Sequence, residues 1–243
     1  MGHSVVFMPE CHSTNDEASR LIESSSKVLE GTVVITSNQT SGRGQRGNTW
    51  ISEPGKNLTF SLLIKPTFLS AQDQFLLNKA FSLGLYDYLS SRLDASVKIK
   101  WPNDMVVNDK KICGILIENQ IQGQNIQHSV VGIGLNVNQD SFSMPTATSM
   151  KVFEGNDFLL EKVLNELLSY LETRYIQLRS GNLEELNNDY HSSLYWLRER
   201  HMFKKAEEIF EGEITGIDPF GKLKINVDGT TEYFELKQIQ FLK

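Results

Sequence analysis

A strand-forming run at residues 32–36 (TVVIT) enters a polar, glycine-rich segment at 37–48. That segment leads on to a second strand at 58–64 (LTFSLLI), with no helical pattern between the two. Within it, Gly42-Arg43-Gly44-Gln45-Arg46-Gly47 matches the GxGxxG spacing of a dinucleotide-binding turn. The setting rules that fold out, because such a turn must open a helix whose free N–H groups meet the pyrophosphate. What the loop offers instead is exposed backbone N–H groups and two guanidiniums, a combination suited to a phosphate or a carboxylate. A solvated surface turn is the alternative.

The remaining periodicities describe a mixed α/β chain. A short strand at 5–7 precedes Thr14 and Glu17, spaced as a capping box, and then an amphipathic helix carrying Ala18, Leu21 and Ile22. A long helix is expected from Ser70, with Phe75, Leu76, Ala80, Leu83 and Leu85 toward the core. Strands follow at 97–100, 105–107, 112–118 and 130–137, then a loop at 140–156 and helical patterns at 157–179 and 183–197. After Arg200 the pattern changes to three short strands, 208–217, 221–227 and 231–241, with Asp228-Gly229 as a hairpin turn. A division near residue 196 is expected, and a length of 243 residues accommodates a medium domain plus a small one.

Thirty acidic against 24 basic residues give a net charge of -6, which weighs against sequence-independent nucleic-acid binding. Two cysteines, Cys11 and Cys113, make no CxxC pair and suit a reducing compartment. The first residues do not read as a signal peptide, and the charge-free stretch 119–139 is too rich in Gln and Asn to span a membrane. A cytoplasmic protein is expected.

Several other segments offer chemistry. Lys100-Trp101-Pro102-Asn103-Asp104 ends a strand in a rigid turn, where Asn103 and Asp104 present oxygens for a hard cation or serve an ordinary Asx turn. Lys110 and Lys111 precede an apolar strand and are either solvated or in reach of an anion. Cys113, in that strand, reads as a small buried hydrophobe rather than a nucleophile. Gly132 and Gly134 suggest close backbone approach, and Asn136 and Asn138 share a face. There is no HExxH, GxSxG or Walker A lysine.

Taken in order, Ser13-Thr14-Asn15, Gln39, GRGQRG at 42–47, KWPND at 100–104, KKICGILIE at 110–118 and GIGLNVN at 132–138 resemble the biotin protein ligase family. The tail from Gly216 to Leu223 is similar to the family's C-terminal module. The resemblance implies an α+β fold. A mixed β-sheet with flanking helices would form a class II aminoacyl-tRNA synthetase-like catalytic domain at 1–196, followed by a small SH3-like β-barrel at 197–243. It implies ATP-dependent activation of biotin as biotinyl-5′-AMP, then transfer to a lysine of the biotin carboxyl carrier protein of acetyl-CoA carboxylase or a related carboxylase.

By the same resemblance Lys111 and Arg43 are the catalytic residues. Biotin would be bound by Ser13, Thr14, Asn15, Gln39, Arg43, Gly44, Lys111 and Gly114. The adenylate would be bound by Arg43, Gln45, Arg46, Asn48, Trp50, Lys111, Gly132, Gly134 and Asn136, with Trp50 at the adenine side. Asn103 and Asp104 would stand near Mg²⁺. Gln45 and Asn48 replace basic residues frequent in the family, which implies weaker retention of the adenylate. Ser13 arrives too early for a preceding winged-helix domain, so no DNA binding is expected; nor is a membrane partner, and the protein would be a monomer or weak homodimer.

Overall fold

The computed structural model describes residues 1–24 and 28–242, without the side chain of Arg46. Seven strands form the first sheet: β1 (Val5–Cys11), β2 (Thr32–Gln39), β3 (Leu58–Ile64), β4 (Val97–Lys100), β5 (Asp104–Val107), β6 (Lys110–Gln122) and β7 (Asn125–Leu135). Their order is β1-β2-β3-β7-β6-β5-β4, parallel between β1 and β2 and antiparallel elsewhere.

β3 is buried along its whole length because both of its faces are covered. Phe60 and Leu62 face the large core with α2 (Phe75–Arg92) and α4 (Leu160–Arg179). Leu63 faces the other way and packs with Val34, Val130 and Ala18 of α1 (Thr14–Ser24). Its two faces differ in chemistry: Leu58, Phe60, Leu62 and Ile64 lie in the large core, whereas Thr59 and Ser61 share the opposite face with Leu63, so the run alternates as far as Leu62. α2 is likewise buried nearly all round, and Gly84 lets it approach Leu171 of α4 closely.

Three local expectations are corrected. The Thr14–Glu17 capping box does not form: Thr14 is already helical, its hydroxyl meets that of Ser61 at 2.8 Å, and Glu17 pairs with Arg20. The long helix begins at Phe75, after a 3₁₀ turn at Ala71–Asp73. The loop at 140–156 contains α3 (Met150–Glu154), capped by Ser149 Oγ accepting from Val152 N at 3.3 Å and ended by Gly155 at φ 74°. A helix of five residues is too short to show a period.

After α5 (Leu183–Ser192) comes a second, antiparallel sheet. It is formed by β8 (Arg200–Lys205), β9 (Glu208–Ile217), β10 (Leu223–Val227), β11 (Thr230–Phe234) and β12 (Gln240–Leu242), in the order β11-β10-β9-β8-β12. Five strands replace the three expected. The pattern RHMFKK hid β8, because only Phe203 in it is fully buried. β11 and β12 stand at opposite edges of this sheet. Trp196, at φ 60°, packs on His201, Phe203 and Phe241 and so joins this sheet's core.

Candidate active site

The floor of the site is a row of small residues crossing the first sheet. Register sets Thr59 of β3 beside Gly134 of β7, Gly134 beside Gly114 of β6, and Gly114 beside Asp104 of β5. Paired residues project to the same face, so the two absent side chains leave a hollow that the Trp50 ring enters. Over this hollow lies a cavity of about 410 Å³.

One end of the cavity is a fixed polar corner. The amide of Thr14 donates to Gln39 Oε1 at 2.9 Å, and Ser61 Oγ donates to Asn15 Oδ1 at 2.6 Å. Asn15 Nδ2 donates to Glu118 Oε2 at 2.7 Å. Ser13, Thr14, Asn15 and Ser61 are all buried. Buried polar groups with matched partners keep one orientation, which suits recognition of a small ring bearing donors and an acceptor.

The other end is cationic. Lys111 Nζ lies 2.7 Å from Asp104 Oδ1 and 5.7 Å from the centre of the Trp50 ring. Arg43 Nη2 donates to Asp16 Oδ1 at 2.6 Å and to Glu118 Oε2 at 3.1 Å. The 42–49 loop is closed on itself by an Arg43–Thr49 bridge and by Gly44 N donating to Asn48 O at 2.7 Å. It holds a single 3₁₀ turn, Gln45–Gly47, and no helix that could receive a dinucleotide.

Gly132 and Gly134 work differently from the expectation that they admit a ligand to the backbone. A Cβ on Gly132 would lie 2.2 Å from Asn15 Oδ1, and one on Gly134 would lie 2.3 Å from Trp50 Cε2. The space is therefore taken by two side chains of the protein itself. Trp50 Nε1 and Gln45 Oε1 are buried there with no hydrogen-bond partner among the described residues. A buried unpaired donor is costly, so the indole edge is a ready contact for an incoming acceptor.

The expected site residues mostly meet in this cavity. Ser13, Thr14, Asn15, Gln39, Arg43, Gly44, Gln45, Asn48, Trp50, Lys111, Gly114, Gly132 and Gly134 all line it. Asn136 does not: it is buried outside the lining, donating from Nδ2 to Thr148 O at 2.9 Å. Its amide fixes the chain before α3, a task that its position beyond β7 left open in the sequence. The side chain of Arg46 lies outside the described residues.

Asn103 and Asp104 line the cavity too, but they do not fit a magnesium ion held by the protein. Asp104 Oδ1 faces Lys111, and Asn103 Nδ2 donates to Ile115 O at 2.6 Å. Among the described residues no group of three or more His, Cys, Asp or Glu could hold a metal. Cys113 is fully buried beneath the sheet, and burial pushes its thiol far up, out of nucleophilic range.

Sequence reasoning missed two parts of the site. Ser61 and Glu118 orient Asn15, and the sequence marks them only as polar residues within apolar strands. The turn between β11 and β12 contributes Leu236, Lys237 and Ile239 to the cavity wall and β12 contributes Gln240 and Phe241, and Lys100 Nζ sits 4.9 Å from the Phe241 ring centre. That wall is brought across the molecule by a contact at Gly221, whose carbonyl accepts from Trp101 Nε1 at 2.9 Å.

A family model described as the biotin/lipoate A/B protein ligase family matches residues 9–136, more than half of the chain. The chain belongs to this family. Among similar members, the bifunctional ligase/repressor BirA of Bacillus spizizenii is 28% identical over 228 residues, which is 92% of this chain and 69% of the relative. The biotin–[acetyl-CoA-carboxylase] ligase of Mycobacterium tuberculosis is 29% identical over 209 residues, covering 84% and 76% of the two chains. The biotin protein ligase of Aquifex aeolicus, solved with biotin and ATP, shares the fold with a TM-score of 0.82 at 23% identity over 99% of each chain. The family match ends at Leu135-Asn136, so it spans the whole glycine floor and both ends of the cavity.

Proposed function

We propose that this family member is an ATP-dependent, AMP-forming biotin protein ligase acting in the cytoplasm. Residues 1–196 would carry the chemistry, and residues 197–243 would close the site. The observation that carries this reading is the meeting of a fixed polar corner and two cations over one glycine floor.

In the first step a carboxylate oxygen of biotin attacks the α-phosphorus of ATP, the bond to the bridging oxygen breaks, and pyrophosphate leaves. Two anions must approach each other, so cations fixed at the point of contact lower the barrier. Lys111 and Arg43 are those cations, each held by carboxylates until ligand arrives. Magnesium enters with the nucleotide as MgATP. In the second step the ε-amine of a lysine on the biotin carboxyl carrier domain of acetyl-CoA carboxylase, or a related carboxylase, attacks the acyl carbon. The bond from that carbon to the phosphate oxygen breaks, the amine gives up a proton, and AMP leaves. No enzyme nucleophile is needed, in keeping with the buried state of Cys113.

The family also covers lipoate ligases, so the deciding test offers both substrates. The protein, MgATP and an apo carrier domain are mixed with equimolar biotin, lipoate and octanoate, and the carrier is weighed by intact mass spectrometry. A single biotinyl increment that is lost in Lys111→Ala supports the reading. A lipoyl or octanoyl increment moves the protein to the sister activity. An unmodified carrier overturns the ligase reading.

A further inference from the structure

Glu118 lies outside the cavity lining, yet a single one of its oxygens touches both ends of the site. Its Oε2 accepts from Asn15 Nδ2 at 2.7 Å and from Arg43 Nη2 at 3.1 Å. We propose that Glu118 is a positioning residue that fixes Asn15 for the ligand's ring and holds Arg43 in reserve for the ligand's anion. The proposal rests on the biotin reading above and deepens it.

The two contacts differ in kind. Asn15 is buried, and its amide is gripped from both sides: Oδ1 by Ser61 Oγ at 2.6 Å, Nδ2 by Glu118. Gly132 leaves room for this arrangement, since a Cβ there would meet Asn15 Oδ1 at 2.2 Å. Loss of the Glu118 acceptor therefore leaves Nδ2 only its longer contact, to Leu116 O at 3.4 Å, and loosens an amide that otherwise has one orientation. Arg43 is half exposed and meets two carboxylates, Asp16 at 2.6 Å and Glu118 at 3.1 Å, through the same nitrogen. Two carboxylates against one guanidinium leave a local excess of one negative charge. A carboxylate or phosphate entering the cavity must compete with them for Arg43 and approach against that excess.

A glutamine at 118 separates the two roles, because its amide oxygen still accepts from Asn15 while its charge is gone. An alanine removes both. The probes are biotin, which carries a carboxylate, and biotinamide, which presents the same ring system with no charge; binding is read by calorimetry on the full chain. Removing one exposed competing charge should tighten biotin in Glu118→Gln by about three- to five-fold, and biotinamide should be unchanged. In Glu118→Ala, loss of the part-buried acceptor of Asn15 Nδ2 should weaken biotinamide by about five-fold or more.

Equal changes for both ligands in Glu118→Gln would overturn the reserve role. Unchanged biotinamide binding in Glu118→Ala would overturn the positioning of Asn15. Should Glu118→Ala not fold, Glu118→Leu in its place reads the same contact. Wild-type protein that binds neither ligand refutes the biotin reading itself, whereas normal wild-type binding with uniform variants refutes only the role given to Glu118.

Discussion

At the scale of single residues, glycine at 132 and 134 is explained by what stands over it. Asn15 is held on both sides of its amide and cannot retreat from a new Cβ, whereas Trp50 sits on a loop and can. Gly132→Ala should therefore cost about 1–3 kcal/mol of stability by overpacking, and Gly134→Ala clearly less, as measured by urea denaturation. His128 of β7 supplies a pH effect. Burial, with the neighbouring charge of Lys65 adding to it, holds its imidazole below its ordinary value of 6.5, and its Nδ1 is buried without a partner among the described residues. The unfolded chain takes up a proton at this position below pH 6.5 that the folded protein resists. Stability is then present above that pH and falls as pH drops through and below it. The slope of unfolding free energy against pH between 6.5 and 5 should flatten in His128→Gln.

At the scale of elements, the approach of α2 to α4 sets the back of the sheet on which the site rests. A Cβ at Gly84 would lie 2.9 Å from the Cα of Leu171, a backbone atom that cannot rotate away. Alanine gains up to about 1 kcal/mol of helix propensity, but forcing the helices apart costs about 1–3 kcal/mol. Gly84→Ala should be net destabilising, and a higher midpoint in urea would refute this account of the packing. The same reasoning explains what the sequence displayed of these elements. α2 showed its apolar character and hid its orientation, because a helix covered all round carries no period that marks one face, whereas Thr59 and Ser61 marked one face of β3.

At the scale of the whole molecule, the second sheet is fastened where Gly221 meets Trp101 and Phe75. Gly221 has φ 94°, and a Cβ there would lie 2.4 Å from the Phe75 ring. Gly221→Ala should disturb the docking of the 236–241 wall and raise the KM for ATP, with a smaller effect on biotin, whose polar corner lies in the first sheet. Steady-state kinetics with each substrate varied in turn checks this. Equal effects on both KM values would mean that the second sheet supports the fold in general and not one side of the cavity. Among the described residues no helix is long and apolar enough to cross a membrane.

The sequence by itself determined the strands flanking the glycine loop, the exclusion of a dinucleotide turn, and the order of motifs that brings the chain into its family. Those properties depend on local steric preference and on residues close along the chain. Only the tertiary structure decided that Asp104 faces Lys111, that Trp50 and Asn15 fill the space above Gly134 and Gly132, that Asn136 serves the fold, and that a wall from the second sheet joins the site. All but the first join residues at least twelve positions apart, and Asp104 and Lys111, seven apart, meet because β5 pairs with β6. Such a contact is selected by register, packing and charge pairing, and leaves no periodic trace in either partner's own segment.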